Sequence, residues 1–309
     1  FVATYPEYRQ QGIMKKLMIA SLKEMRQKGQ TISVLAPFSI SFYRYFGWEL
    51  FFEKLHYTIP QSKFPYFGKQ YDEVKRMSFE WPDIALFEAI QQFHNAQARL
   101  TNGSMLRDAA WWKRIARRSP DSHFAACFFA SSIAGYIRYT IQDGIFTIHD
   151  FIARHHLAEQ ALWRFVSSHA ASVHTIEGVT ANDCYFGFNF QDPQVEKKVT
   201  QDVMVRIVDA FAWNNLQHTL YVRLEDPFCP WNEQMYLINK DGHVSIMEAN
   251  SVSEQHMLTL PITLFSAMMV GYLRVKDAVV FSQKELAEEE IQHWQQAIPS
   301  KKPTFYEYF

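Results

Sequence analysis

Cysteine is scarce, net charge is nearly absent, and no long apolar run interrupts this chain of 309 residues. Cys127, Cys184 and Cys229 stand far apart, make no CxxC pair, and leave one thiol over if two are bridged. That pattern fits a reducing, cytoplasmic setting rather than a disulfide scaffold. The 31 basic and 32 acidic side chains nearly cancel, so there is no global positive field to hold nucleic acid or an anionic membrane. Any electrostatic function is local. The most apolar stretch, Met257 to Leu273, contains Pro261 and Gly271 and is too short for a comfortable membrane span. The histidines, including His155 and His156, show no HExxH-type spacing, so no metal is expected.

What is present is apolar material: 48% hydrophobic residues and 16% aromatic, enough for several cores in a chain too long for one ordinary domain. "FVAT" reads as a buried strand broken by "YPEYRQQG", and apolar positions recur at helical spacing from Ile13 to Lys28, with Gly29 as the stop. "TISVLAP" reads as a strand, "SISFYRYFG" as a short helix closing on Gly47, and "WELFFEKLHYTIP" as another strand. This alternation predicts a mostly parallel α/β arrangement.

Further on, helices are predicted at Pro82 to Arg99, Ala109 to Ile115 and Leu157 to His174. Strands "HFAACFFA", "IAGYIRYTI" and "IFTIHDFIA" lie between, the last two joined by an Asp143-Gly144 turn. From Met204 alternating segments meet at an Asp241-Gly242 turn, which predicts an antiparallel sheet covered by a "LPITLFSAMMVGYL" helix, with a last polar helix over Lys284 to Ala297. The cluster of Arg114, Arg117 and Arg118 reads as a solvated helix end.

Two stretches carry chemistry. In "RQQGIM", Arg9 to Met14, a polar loop with one glycine opens a helix, where amide N–H groups and the helix dipole suit an anion such as a diphosphate. The plain alternative is an ordinary strand-to-helix loop. The chain then closes on "KPTFYEYF", an end too aromatic to be left in water, which predicts a docked tail anchored by Phe305, Tyr306 and Tyr308.

The string "VATYPEYRQQGIMKKLM" resembles the acetyl-coenzyme A pyrophosphate loop of the GNAT N-acetyltransferases, departing from it at Met14 where a small residue is usual. "PFSISFYRYFGW", "MVRIVDAFAW" and "TLPITLFSAMMVGYL" resemble, in the same order, segments of the Eis-type branch, with Pro37, Ser39, Tyr43, Phe46 and Gly47 in register. The resemblance implies two GNAT-type mixed-sheet domains followed by a sterol-carrier-protein-like α+β domain. It sets the segments at residues 1–66, the last part of a catalytic GNAT domain, 67–198, a degenerate GNAT-like domain without a pyrophosphate loop, and 199–309. The catalytic domain of that family has further strands before "VAT", so the chain is expected to be N-terminally incomplete, with activity expected of the parent protein rather than of this fragment; the opening is read as carrying no signal peptide.

The same resemblance implies acetyl-coenzyme A as cosubstrate and no metal. Val2, Ala3 and Thr4 would bond the pantetheine arm, and Arg9, Gln10, Gln11, Gly12, Ile13, Met14 and Lys15 would hold the diphosphate. Ser39 would line the channel, although a serine there also reads as a helix cap. Tyr43 would be the general acid toward the thiolate, against the alternative of a core tyrosine. The carboxylate of Phe309 would be the anionic relay, lying near residue 43. Primary amines, either aminoglycoside-like polyamines or lysine side chains, are the implied acceptors, with a homo-oligomer, by resemblance a hexamer, as the assembly. The rival reading is an apolar-ligand or lipid-binding protein whose acetyltransferase half is vestigial, and a second rival transfers longer acyl groups.

Overall fold

A computed structural model of the chain describes residues 2–182, 185–210, 220–238, 243–247, 257–299 and 301–307. In chain order the elements are α1 (Ile13–Gln27), β1 (Ile32–Leu35), α2 (Ile40–Tyr45), β2 (Glu49–Pro60), β3 (Glu73–Ser78), α3 (Ile84–Ala98) and α4 (Ala109–Arg118). There follow β4 (His123–Phe129), β5 (Ser132–Gln142), β6 (Ile145–Ala153), α5 (His156–Ser167), β7 (Thr175–Ala181) and β8 (Glu196–Ile207). The last group is β9 (Leu220–Glu225), β10 (Met235–Ile238), β11 (Val244–Ile246), β12 (Leu258–Pro261), α6 (Ile262–Met269), α7 (Val275–Phe281) and α8 (Glu288–Ala297). No described helix is long and apolar enough to cross a membrane.

The chain divides into two compact units: one holds the residues up to Phe52 together with Asp202–Pro303, the other Glu53–Gln201 with the tail from Thr304. In the first unit, β1 pairs antiparallel with β8, from Ile32 opposite Ile207 to Leu35 opposite Met204. Helix α1 presents Met18 and Leu22 to a cluster containing Phe46, Trp48, Leu50, Met204, Val208, Phe228 and Cys229, so the two sequence segments of this unit share one core. A second sheet, ordered β11-β10-β9-β12, alternates buried Leu220, Val222 and Leu224 along β9. Helix α6 covers it with Ile262, Phe265 and Met268.

In the second unit the strand order is β2-β7-β6-β5-β4-β3. Period-two alternation on β4 explains its two cores: Phe124 and Ala126 join α3 and α4 on one face, Ala125 and Cys127 join α5 on the other. Every strand pair in this sheet is antiparallel except β6 with β7, joined through the crossover helix α5, so the sheet is mixed, as the resemblance implied. The mostly parallel arrangement expected of the first 60 residues is overturned, since β1 pairs antiparallel with β8 and β2 antiparallel with β7. Alternation of elements along a chain does not specify strand direction when hairpins such as Asp143-Gly144 intervene, and both of those residues take positive φ, as a two-residue hairpin turn requires. The parallel pairing of β6 and β7 runs from Ile145 opposite Thr175 to Ile148 opposite Gly178 and stops there, while both strands continue. The strands part, and the parting opens a cleft.

Three further local expectations changed. Val2 to Tyr5 forms no strand, and Val2 is 43% exposed, because no described strand pairs with it. The helix predicted from Leu157 to His174 ends at Ser167, leaving His169 to bond back through Nδ1 to the Phe165 carbonyl. Helix α7 had not been anticipated. The Asp241-Gly242 turn lies outside the described residues.

Candidate coenzyme site

The loop before α1 is built to expose backbone. Pro6–Tyr8 makes a single tight turn, Gln10 takes φ +63° and Gly12 takes φ +71° as the residue capping the helix. A Cβ on Gly12 would meet nothing within 4 Å, so the backbone dihedral selects glycine here. Gly12 offers no side-chain cap, and the first turn of α1 contains no acidic residue. The amides of Ile13, Met14 and Lys15 therefore have no intrahelical acceptor, with Lys15 and Lys16 adding positive charge. Arg9, Gln10, Gln11, Gly12 and Lys15 are exposed, and Lys15 Nζ lies 5.4 Å from the Phe228 ring. Thr4 Oγ1, just upstream, is buried with no hydrogen-bond partner. Free amides, cations and an orphaned buried hydroxyl fit a diphosphate with a polar arm.

Ser39 starts α2 as its cap, its Oγ accepting from Phe42 N at 3.4 Å. Four residues on, Tyr43 sits half-buried among Phe38, Phe42 and Trp48 at ring separations of 5.6, 5.1 and 6.1 Å. Its hydroxyl has no hydrogen-bond partner among the described residues, and burial raises the phenol above its ordinary 10. Met14 and Tyr43 pack against the same apolar cluster, so α1 and α2 are held over one base. Phe309 lies outside the described residues.

The sequence reading missed what fixes the end of α2. Arg206, fully buried, donates from Nη1 to the Phe46 carbonyl, and its Nη2 lies 2.8 and 2.6 Å from the two carboxylate oxygens of Asp226. Gly47, at φ +90°, lies against that guanidinium so closely that any Cβ there would overlap it. An arginine inside the apolar strand "MVRIV" was the available signal, since a buried charge demands a partner.

The tail carries a second unanticipated group. Glu307, 7% exposed, accepts from Arg107 Nε at 2.6 Å and from Trp111 Nε1 at 2.7 Å. Arg107 also forks onto Asp150 at 2.8 and 2.9 Å, and Arg138 Nε reaches the same carboxylate at 3.0 Å. Burial alone would raise the Asp150 carboxyl, yet Arg107 and Arg138 hold it well below the usual range. Tyr306 Oη accepts from Ala181 N at 3.0 Å, Thr304 N donates to the Asn102 carbonyl at 2.8 Å, and Phe305 is buried. The tail through residue 307 is docked in the second unit, held by an ion network as much as by its rings.

Comparison with known proteins bears on both units. The description of an acetyltransferase (GNAT) domain matches residues 1–51 and, as a separate family, residues 103–207. That of a sterol carrier protein domain matches residues 204–306. An uncharacterized N-acetyltransferase of Streptomyces coelicolor is 23% identical over 299 residues, spanning 89% of this chain and 71% of that protein. Among solved structures, a probable N-acyltransferase of Enterococcus faecalis superposes with a TM-score of 0.86 at 24% identity, over 100% of this chain and 80% of that one. A GCN5-related N-acetyltransferase of Anabaena variabilis gives 0.82 at 20% identity, again over 100% and 80%. Eis1 of Mycobacterium abscessus gives 0.78 at 15% identity, over 100% and 81%. The structures speak to the fold, and the matched domains speak to the class: residues 1–51 and 103–207 are similar to GNAT acetyltransferase domains and residues 204–306 to a sterol carrier protein domain, in line with the N-acetyltransferase relative.

Proposed function

We propose that the chain is an Eis-type enzyme that moves an acetyl group from acetyl-coenzyme A to a primary amine, either an aminoglycoside-like polyamine or a lysine side chain. The observation that carries this reading is the start of α1, where a left-handed Gly12, an exposed loop and uncapped amides meet no carboxylate. In this reading the Arg9 to Lys15 loop holds the diphosphate, Val2 to Thr4 bond the pantetheine arm, and Ser39 lines the channel from the start of α2. The amine attacks the thioester carbonyl, the tetrahedral oxyanion collapses, and the coenzyme leaves as a thiolate while the amine gives up its proton.

Tyr43 serves that thiolate. A thiol near 8.5 and a phenol near 10 differ by about 1.5 units, ~2 kcal/mol against full proton transfer, and burial of Tyr43 widens the gap. A hydrogen bond to the developing thiolate is the role that fits. The Phe309 carboxylate draws in the ammonium and relays its proton through water; direct abstraction, from about 10 to about 3.5, would cost ~9 kcal/mol. Alignment of amine and thioester supplies most of the rate. Assembly as a hexamer belongs to the same reading.

The test measures thiol release with a polyamine acceptor on the full-length gene product, beside Tyr43→Phe and a chain ending at residue 308. Both variants are expected to lose turnover, and unchanged rates in both would remove the mechanism. Calorimetry with acetyl-coenzyme A and with a fatty acyl ligand separates the lipid-binding rival, since lipid binding without coenzyme binding would reverse the reading.

A further inference from the structure

In the second unit β6, α5 and β7 run strand, short link, helix, strand, and residues 103–207 match the GNAT domain description, as residues 1–51 with the loop before α1 do. Where β6 and β7 part there is a cavity of about 320 Å³, at the small end of the range for small-molecule sites. Its chemistry is reversed relative to the start of α1. The link from β6 to α5 has no glycine, and the first turn of α5 carries Glu159 where α1 has no acid. Among the described residues that line the cavity, three carboxylates, Asp150, Glu159 and Glu307, face one guanidinium, Arg107.

That guanidinium is already matched by Asp150 and Glu307, so it has little left for an anion. Glu159 makes only a 3.7 Å approach to His156. The two lining histidines do not change the balance: burial and nearby arginines lower His94 and His149 to about 4, leaving both neutral near pH 7. The opposite wall is aromatic, with Tyr57 stacked on Phe186 at 4.3 Å and Trp163 5.0 Å from Phe151 and 5.1 Å from Phe190. Tyr57 is 3% exposed and lines the cavity. A phenol in such a wall can accept a hydrogen bond from a bound N–H group.

We propose that this cleft, the counterpart in the second GNAT domain of the coenzyme loop in the first, binds a small organic amine in its cationic form, with its charge toward Glu159, its N–H groups toward Tyr57 and its apolar body on the aromatic wall. Carboxylates repel a diphosphate and attract an ammonium, and aromatic faces stabilise the same sign of charge. Because Thr304, Tyr306 and Glu307 form part of the wall, occupancy of the cleft and docking of the tail stabilise one another.

Isothermal titration with phenethylamine, phenethyl alcohol, phenylacetate and coenzyme A tests the assignment, on the wild-type chain and on Tyr57→Phe and Glu159→Gln. Phenethylamine is expected to bind about tenfold tighter than the alcohol, and each substitution to weaken it by about three- to tenfold. Neither anion should bind in a way that these substitutions alter. Glu159 is partly exposed, so Glu159→Gln keeps the fold, and thermal unfolding confirms this for both variants. Amine binding elsewhere, at an acceptor site near α2, would be indifferent to Glu159 and Tyr57. Absent amine binding, equal binding of the alcohol or phenylacetate, or amine binding unchanged in both variants overturns the proposal.

Discussion

Gly47 has its identity dictated twice, by φ +90° and by the guanidinium of Arg206 where a side chain would stand. Gly47→Ala must move Arg206 off the Phe46 carbonyl or off Asp226, leaving buried charge uncompensated. We expect a loss of about 3 kcal/mol or more, read as a lower urea midpoint or as insoluble expression. His94 makes a different prediction. Its Nε2 contacts the Met105 carbonyl, which can only accept, so Nδ1 accepts from the Tyr136 hydroxyl at 2.8 Å and the ring is neutral. Its folded pKa of about 4, depressed by burial and then by Arg107, lies below the ordinary 6.5. The unfolded chain thus takes up the proton first as pH falls: the stabilisation is fully present above about 6.5 and is lost progressively toward 4. By pH 5 this single group removes about 2 kcal/mol. Urea unfolding at pH 7 and pH 5 should show the drop, and His94→Gln should reduce it.

Two elements carry predictions of their own. The anion site proposed at the start of α1 depends on uncapped amides and on the absence of negative charge, so Gly12→Asp both strains a left-handed position and places a carboxylate at the helix start. The strain costs about 1 kcal/mol of stability, whereas the affinity for acetyl-coenzyme A should fall tenfold or more by calorimetry, through repulsion in place of a helix-end anion contact. A fall in stability with no fall in affinity would count against the site. The tail is the other element. Glu307→Gln keeps the shape but leaves Arg107 and Trp111 without their carboxylate, a deficit of about 3 kcal/mol for a buried pair. Carboxypeptidase digestion followed by mass spectrometry should trim residues 304–307 from this variant much faster than from the wild type.

At the scale of the whole molecule, the first unit is assembled from segments that the sequence separates by about half its length. Met18, Leu22 and Trp48 close their core against Met204, Val208, Phe228 and Cys229. A chain of residues 1–66 alone should therefore show no cooperative thermal transition, and adding residues 202–307 as a separate chain should restore one. Cooperative melting of the short piece by itself would refute the shared core.

The sequence by itself determined the local structure and the chemistry class. Periodicity in "IMKKLMIASLKEM" placed α1, alternation in "HFAACFF" placed β4 and its two faces, and Gly12 after a polar loop marked the helix start, because each signal lies within one or two turns of chain. The string from Val2 to Met18 and the segments around Tyr43 pointed to an N-acetyltransferase, the class that the matched domains support. The tertiary structure alone decided strand direction, which depends on pairings that the order of elements leaves open. It alone joined Arg107 to Glu307 across 200 residues, and Arg206 to Phe46 across 160. A charged side chain in an apolar strand declares that a partner exists, but burial energy is satisfied by whichever opposite charge the fold brings within 3 Å. The aromatic end announced a docked tail, and the fold supplied the anchor, a carboxylate among the rings.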